Sequence, residues 1–316
     1  MIRFLYPFFK FLPYFTRRYL TFLLYMHNTN LPLLLLVFAI AFLGCNEQKP
    51  ATPQEPNAAV DSVFDAYYQF KKRINPIEAT KAGYAEYNDK VANYISDPYQ
   101  ADLVTNYTQF LNALGEYDST EVTPEQWLSM QVMAWDCSIK REGLTNPLVT
   151  MASPMYDLPT FELLPLGQVQ SLHLYFSQLA GGKSVQPFNT LADYDNWLKR
   201  IDAYVPFLDT CMIKMQEGIA RGVVLPKSLI EKMIPQLDGF VNAPVAEHLF
   251  YAPIATLPTT FSNEDKERIS KAYSEVIEAK LKPKYKELQK FLVNTYLPAG
   301  RETSGIGSLS NGPETY

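Results

Sequence analysis

Between Val60 and Tyr296 the apolar residues recur every three or four positions, and no convincing stretch alternates as a half-buried strand would. Val60, Phe64, Tyr67 and Tyr68 form one such stripe, and Tyr99, Leu103, Tyr107, Phe110, Leu111 and Leu114 another. Start signals agree with the repeat. Thr123-Pro124-Glu125-Gln126 reads as a capping box: a threonine cap, proline at the first helical position, and a glutamine that reaches back to the cap. Thr190-x-x-Asp193 and Ser262-x-x-Asp265 place a carboxylate near the positive end of the helices that follow. The pattern predicts a long helix over Leu191 to Arg221, kinked at Pro206 where a backbone donor is missing. It predicts a second over Asn263 to Tyr296, bent by Pro283, and a shorter one from Pro226 to about Val241. Between Thr145 and Gly167 four prolines break every period, so that stretch reads as an irregular crossing of the kind that often lines a groove. The expected fold class is all-α, an irregular bundle of long helices with no substantial sheet.

Composition removes one class of partner. The net charge is −5, yet Arg3, Lys10, Arg17 and Arg18, the only charges before Cys45, are all basic. The remaining chain carries 24 basic against 33 acidic side chains, a net of −9. An acidic body lacks the clustered cations that nucleic acid requires, so no nucleic-acid partner is expected. The 21 tyrosines and 19 phenylalanines suit either core edges or an aromatic ligand groove.

The front of the chain points to a membrane. Leu31 to Leu43 is an apolar run of thirteen residues interrupted only by Pro32, short for a spanning helix and right for a signal-peptide core. Phe42-Leu43-Gly44-Cys45 resembles the bacterial lipobox, with Phe42 in place of the usual leucine. Cys45 is therefore the expected lipidation site, its thiol taking a diacylglyceryl group whose acyl chains, of the palmitate type, hold the mature protein to a bilayer. Residues 1–44 then form a signal peptide, either with an extended basic n-region or with translation starting at Met26. Residues 45–57, with three prolines, read as the lipidated cysteine and a solvated tether, and residues 58–316 as the helical domain. The expected location is the cell envelope, periplasmic or surface-exposed. Cys137 and Cys211 are either paired or two buried thiols.

Motifs that carry chemistry are missing. Only His27, His173 and His248 are present, and none has a second histidine at the spacing a helical zinc site needs. Glu247-His248 is an adjacent pair, which a helix would splay to different faces. Gly181-Gly182-Lys183-Ser184 lacks the first glycine of a phosphate loop, because Ser177 stands there, and reads as a turn. Gly305-x-Gly307-x-x-Ser310 lacks the third glycine of a dinucleotide fingerprint. Asp193, Asp195 and the run Asn263 to Arg268 read as caps and a solvated helix face. No catalytic, cofactor-binding or metal residue is expected within this chain.

The segments MQEGIARGVVLPKSLIEKMIPQL, FYAP and KPKYKELQKFLVNTYLPAGRETSGIGSLSNG, from Met215 to Gly312, resemble the bacterial domain-of-unknown-function 885 family. Pro76, Ala79-Thr80, Gly83 and Asp193-Tyr194-x-x-Trp197-Leu198-x-Arg200 fit the same pattern, so the resemblance covers most of the chain after the tether. It implies a mainly helical, secreted or lipid-anchored protein related to zinc metallopeptidases. In that family a His-Glu-x-x-Pro-Gly-His motif lies downstream of the Asn-Gly turn, here Asn311-Gly312. Zinc is thus expected only with a further C-terminal segment, and the chain alone is expected to be a non-catalytic portion that walls a peptide substrate groove. Ser310 and Pro313 depart from the family pattern, and the tail RETSGIGSLSNGPETY reads as a mid-domain turn. The alternative is a complete, non-catalytic surface lipoprotein that binds glycans or peptides.

Overall fold

Two helices with the same kind of start signal organise the computed structural model, which describes residues 54–149, 160–169, 171–182 and 184–316. The signal peptide, Cys45, residues 45–53 of the tether, the core of the proline-rich crossing and Lys183 lie outside the described residues. In chain order the helices are α1 (Ala58–Ile74), α2 (Pro76–Lys81), α3 (Asp97–Leu114), α4 (Pro124–Gly143), α5 (Leu172–Ala180) and α6 (Leu191–Arg221). They continue as α7 (Lys227–Gln236), α8 (Asp238–Asn242), α9 (Asn263–Val276), α10 (Lys282–Phe291), α11 (Leu297–Ala299) and α12 (Gly312–Thr315). No strand occurs among the described residues, where an isolated parallel bridge joins Pro226 to Arg301. The fold is all-α, and Glu55–Tyr316 forms a compact unit around its own core.

Helix α6 is the axis of that core. Tyr194, Ile201, Leu208 and Met215 recur every seven residues, as do Trp197, Tyr204, Cys211 and Gly218, and all eight are buried. A third row, Arg200, Phe207 and Lys214, widens the stripe to about three-sevenths of the circumference, the width a core-facing helix needs. Thr190 and Asp193 close a capping box at its head, and Gly222, left-handed at φ 70°, ends it. Pro206 is accommodated inside the helix on its exposed side. Gly218 is a close approach: a Cβ there would sit 2.5 Å from the Val223 carbonyl oxygen.

The tyrosines go largely to this core. Tyr107, Tyr194, Tyr204, Tyr273, Tyr285 and Tyr296 are among its largest buried side chains. Several hydroxyls find partners there: Tyr204 and Tyr285 bond each other at 3.0 Å, and Tyr296 accepts from the Leu225 N–H at 3.0 Å. Tyr68 is an exception to its predicted stripe, half exposed on α1.

Two expected helices are subdivided. The segment from Asn263 to Ala299 runs as α9, α10 and α11 joined by π turns at Ile277–Leu281 and Leu292–Tyr296. The buried stripe explains the turns. Ile269, Tyr273, Ile277, Leu281 and Tyr285 are each four residues apart, and every such step drifts an α-helix face by about 40°. A π turn absorbs the drift, and each one is followed at its second residue by a proline, Pro283 or Pro298, that has no N–H to place. The helix expected from Pro226 to Val241 divides at Leu237, because Pro235 withholds the donor that would continue the last turn of α7.

The tail is folded. The Arg301 guanidinium donates to the carbonyls of Val224, Thr303 and Gly305 and to the Ser308 hydroxyl, clasping residues 301–308 against the start of α7. Leu309 packs with Leu148, Leu163 and Val223 in a small second cluster. Asn311 is left-handed at φ 58°, and a Cβ on Gly312 would lie 1.9 Å from the Ile306 oxygen, so this turn requires its glycine.

Candidate peptide groove

Where α6 leaves the core, α10 runs beside it and the two helices bound an open groove of about 690 Å³. Met212, Ile213, Ala220 and Phe291 supply its apolar floor, and Asp209, Glu217 and Glu287 its acidic edge. The heptad places these residues. Tyr204, Leu208, Cys211 and Met215 face inward, so Asp209, Met212, Ile213 and Gln216 must turn toward the flank.

Two lysines hold the edge in shape. Lys284 bonds Asp209 at 2.5 Å and Glu287 at 2.7 Å, tying α10 to α6. Lys214, buried to 5 % exposure, bonds Asp97, Glu162 at 2.5 Å and Glu217 at 3.5 Å. Burial alone would lower both ammonium groups. The hydrogen bonds and charges of their carboxylate partners outweigh it and hold each above the usual lysine range. Both are therefore fixed cations, and five carboxylates surround two of them. The local excess of negative charge suits a ligand with basic and apolar side chains.

The proline-rich crossing does not line this groove with its described residues. It reaches the edge through Glu162 on Lys214 alone. Nothing in the spacing of α6 and α10 read separately reveals the pairing. The signal was Asp209 and Glu287 sitting beside apolar residues on the outer faces of two long helices.

The histidines are committed elsewhere. His248 is buried. Its Nδ1 accepts from the Phe250 N–H at 3.3 Å, which leaves the proton on Nε2 to donate to the Phe240 carbonyl at 3.1 Å. Burial lowers its pKa, with the Phe240 bond opposing. His173 is also buried, pairs with the Ser171 hydroxyl at 2.6 Å, and is pushed down to about 4 by desolvation. Both imidazoles are thus neutral at pH 7. Glu247 and His248 do not act together: Glu247 ends a single 3-10 turn while His248 caps the next. Among the described residues no three His, Cys, Asp or Glu side chains gather as a metal-ligand set.

The remaining sequence candidates are placed as scaffold. Asp193 caps α6, and Asp195 takes both guanidinium nitrogens of Arg268, at 2.8 and 3.3 Å, linking α6 to α9. Gly181 ends α5 and Gly182 is a left-handed turn at φ 70°. Gly305 and Gly307 belong to the turn under Arg301. Cys137 and Cys211 are free and buried, which decides between the two readings of that pair. Arg200 is wholly buried and donates to Thr80, Gln186 and the Tyr87 carbonyl, stapling α6 to the segment around α2. Desolvation lowers its guanidinium to about 10.

A helical body of this kind, with the residues that carry the family resemblance spent on architecture, defines the class. The chain belongs to the family described as "Bacterial protein of unknown function (DUF885)", whose model matches residues 76–316. Among solved structures it is similar to the putative lipoprotein from Colwellia psychrerythraea, at 16 % identity and a TM-score of 0.67, over 82 % of this chain and 45 % of that one. The chain thus spans less than half the length of that protein. No curated protein matches.

Proposed function

We infer that this chain is an envelope lipoprotein, held to a membrane by acylated Cys45, that supplies the non-catalytic helical portion of a zinc-metallopeptidase-like protein. Its groove between α6 and α10 seats a peptide segment. The observation that carries the reading is the division of labour in the described body. Both imidazoles are buried and neutral, His173 on the Ser171 hydroxyl and His248 on the backbone of Phe240 and Phe250, while the described lining of the groove offers apolar surface and carboxylates but no paired nucleophile and base. Such a surface binds and positions. The lipobox, the polar tether and the lipoprotein description of the structural neighbour support the anchor.

Peptides are favoured over glycans because, among the described residues, Phe291 is the one aromatic in the groove and no pair of rings is set for stacking on a sugar. The test uses residues 46–316 with fluorescent peptides that combine leucine with either lysine or glutamate. The lysine series binds saturably, Ile213→Asp weakens it at least tenfold, and added zinc produces no cleavage. Stoichiometric zinc with peptide hydrolysis by this chain overturns the non-catalytic reading, and saturable oligosaccharide binding without peptide binding overturns the peptide groove. For the anchor, metabolic labelling with an alkynyl palmitate marks the full chain, and Cys45→Ser abolishes both the label and membrane fractionation. Labelling that survives Cys45→Ser removes the lipobox assignment.

A further inference from the structure

Helix α4 is apolar on two opposite sides. Gln126, Met130, Met133, Cys137 and Lys140 face inward at steps of four and three. Leu128, Val132, Trp135 and Ile139 repeat the same steps on the other side, and they stand 66, 59, 66 and 39 % exposed. A surface helix ordinarily turns charge outward there. From Leu128 to Ile139 the exposed residues are these four with Ser129, Gln131 and Ser138, and none can ionise. Asp136 and Lys140 bond each other at 2.9 Å, and Asp136 also accepts from Tyr67, so neither is spare. The nearest exposed ionisable residues on the helix are Glu125, Arg141 and Glu142, at its ends.

The head of α4 is also where the tether arrives. The Asn57 N–H donates to Gln126 Oε1 at 2.9 Å, Gln126 Nε2 returns a bond to the Asn57 carbonyl at 3.0 Å, and Asn57 Nδ2 reaches the Glu121 carbonyl at 3.3 Å. Eleven residues separate Cys45 from Asn57, a reach of at most about 40 Å fully extended. An acylated Cys45 would therefore keep the start of α4 within a short tether of the lipid.

We propose that the outward face of α4, formed by Leu128, Val132, Trp135 and Ile139, is where this domain rests on a zwitterionic phospholipid surface. The proposal rests on the anchored reading above. A partner helix is the weaker occupant, because helix seams take register and partner choice from flanking charges, and here the flanks are serine and glutamine. A bilayer interface needs no such code. It accepts an apolar strip with a tryptophan at its centre, sunk roughly 5–10 Å into the headgroup boundary. The acidic body and the absence of outward lysines on the strip point to zwitterionic over anionic lipid.

The experiment supplies the anchor artificially. Residues 46–316 carry a hexahistidine tag at the N-terminus and are bound to phosphatidylcholine vesicles through a nickel-chelating lipid, with plain or brominated acyl chains. Bromine quenches an inserted indole, so the emission of the three tryptophans falls by roughly a third in brominated vesicles. Trp135→Phe removes the loss. Val132→Glu with Ile139→Glu also removes it, while circular dichroism stays unchanged. Equal emission in both vesicles overturns the proposal, as does quenching that survives both variants. A dimer in solution that Val132→Glu splits overturns it in favour of a second copy. Because nickel replaces the acyl group, a failed palmitate label would leave this result standing on its own.

Discussion

Helices α4 and α6 start alike and end differently. Both carry a capping box, Thr123 with Gln126 and Thr190 with Asp193, and both present apolar residues at heptad steps. Yet Trp197 on α6 is fully buried, stacked 4.8 Å from Phe176, whereas Trp135 on α4 is two-thirds exposed. Local signals set where a helix begins. What covers its faces is decided by the rest of the molecule, and α4 shows that the number of apolar residues on a helix does not reveal how many of its sides the fold will cover.

The two tryptophans give the largest expected contrast. Trp197→Ala should cost about 3–5 kcal/mol in urea unfolding, from lost burial plus a cavity between α5 and α6. A loss below about 1 kcal/mol would mean that α6 is not the axis of the core. The α6 side should also be the acid-sensitive one. His173 is lowered to about 4 from an ordinary 6.5, so between those values the unfolded chain binds a proton that the folded chain refuses. Its contribution is full above about pH 6.5 and drains as the pH falls, by up to about 3 kcal/mol near pH 4. His173→Gln should flatten that slope in unfolding measured from pH 7 to 4.5, and an unchanged slope would assign it to other groups. Next come the caps: Thr123→Ala and Thr190→Ala should each cost about 1 kcal/mol, alike despite the different burial downstream. Unequal costs would show that capping and packing are coupled here. Smallest is Trp135→Ala, expected within about 0.5 kcal/mol of the parent. A cost near that of Trp197→Ala would reveal cover on α4 already present in solution.

Much of the fold was legible because helix periodicity and caps are local. Leu191 to Arg221, the capping boxes and the Ser262 cap stand where the sequence places them. The π turns were harder to see. Their trace, five apolar residues four apart, becomes meaningful only when the drift of a plain α-helix is set against a neighbour that does not drift with it. The groove was not legible, since it forms between two helices about eighty residues apart in sequence. The resemblance marks were legible as a family but not as roles. Arg200, Gly218, Tyr285, Tyr296 and Arg301 prove to be staples and close contacts, and a pattern that looks like a functional signature is here a blueprint for packing.

Each of the two contrasted helices also contains one thiol, Cys137 on α4 and Cys211 on α6, both buried and unpaired. Burial raises both above the ordinary thiol range, so neither reacts until its surroundings part. The molecule therefore carries a built-in pair of stopwatches: the rate at which a maleimide tags each cysteine times how often each helix breathes, without any label having to be engineered.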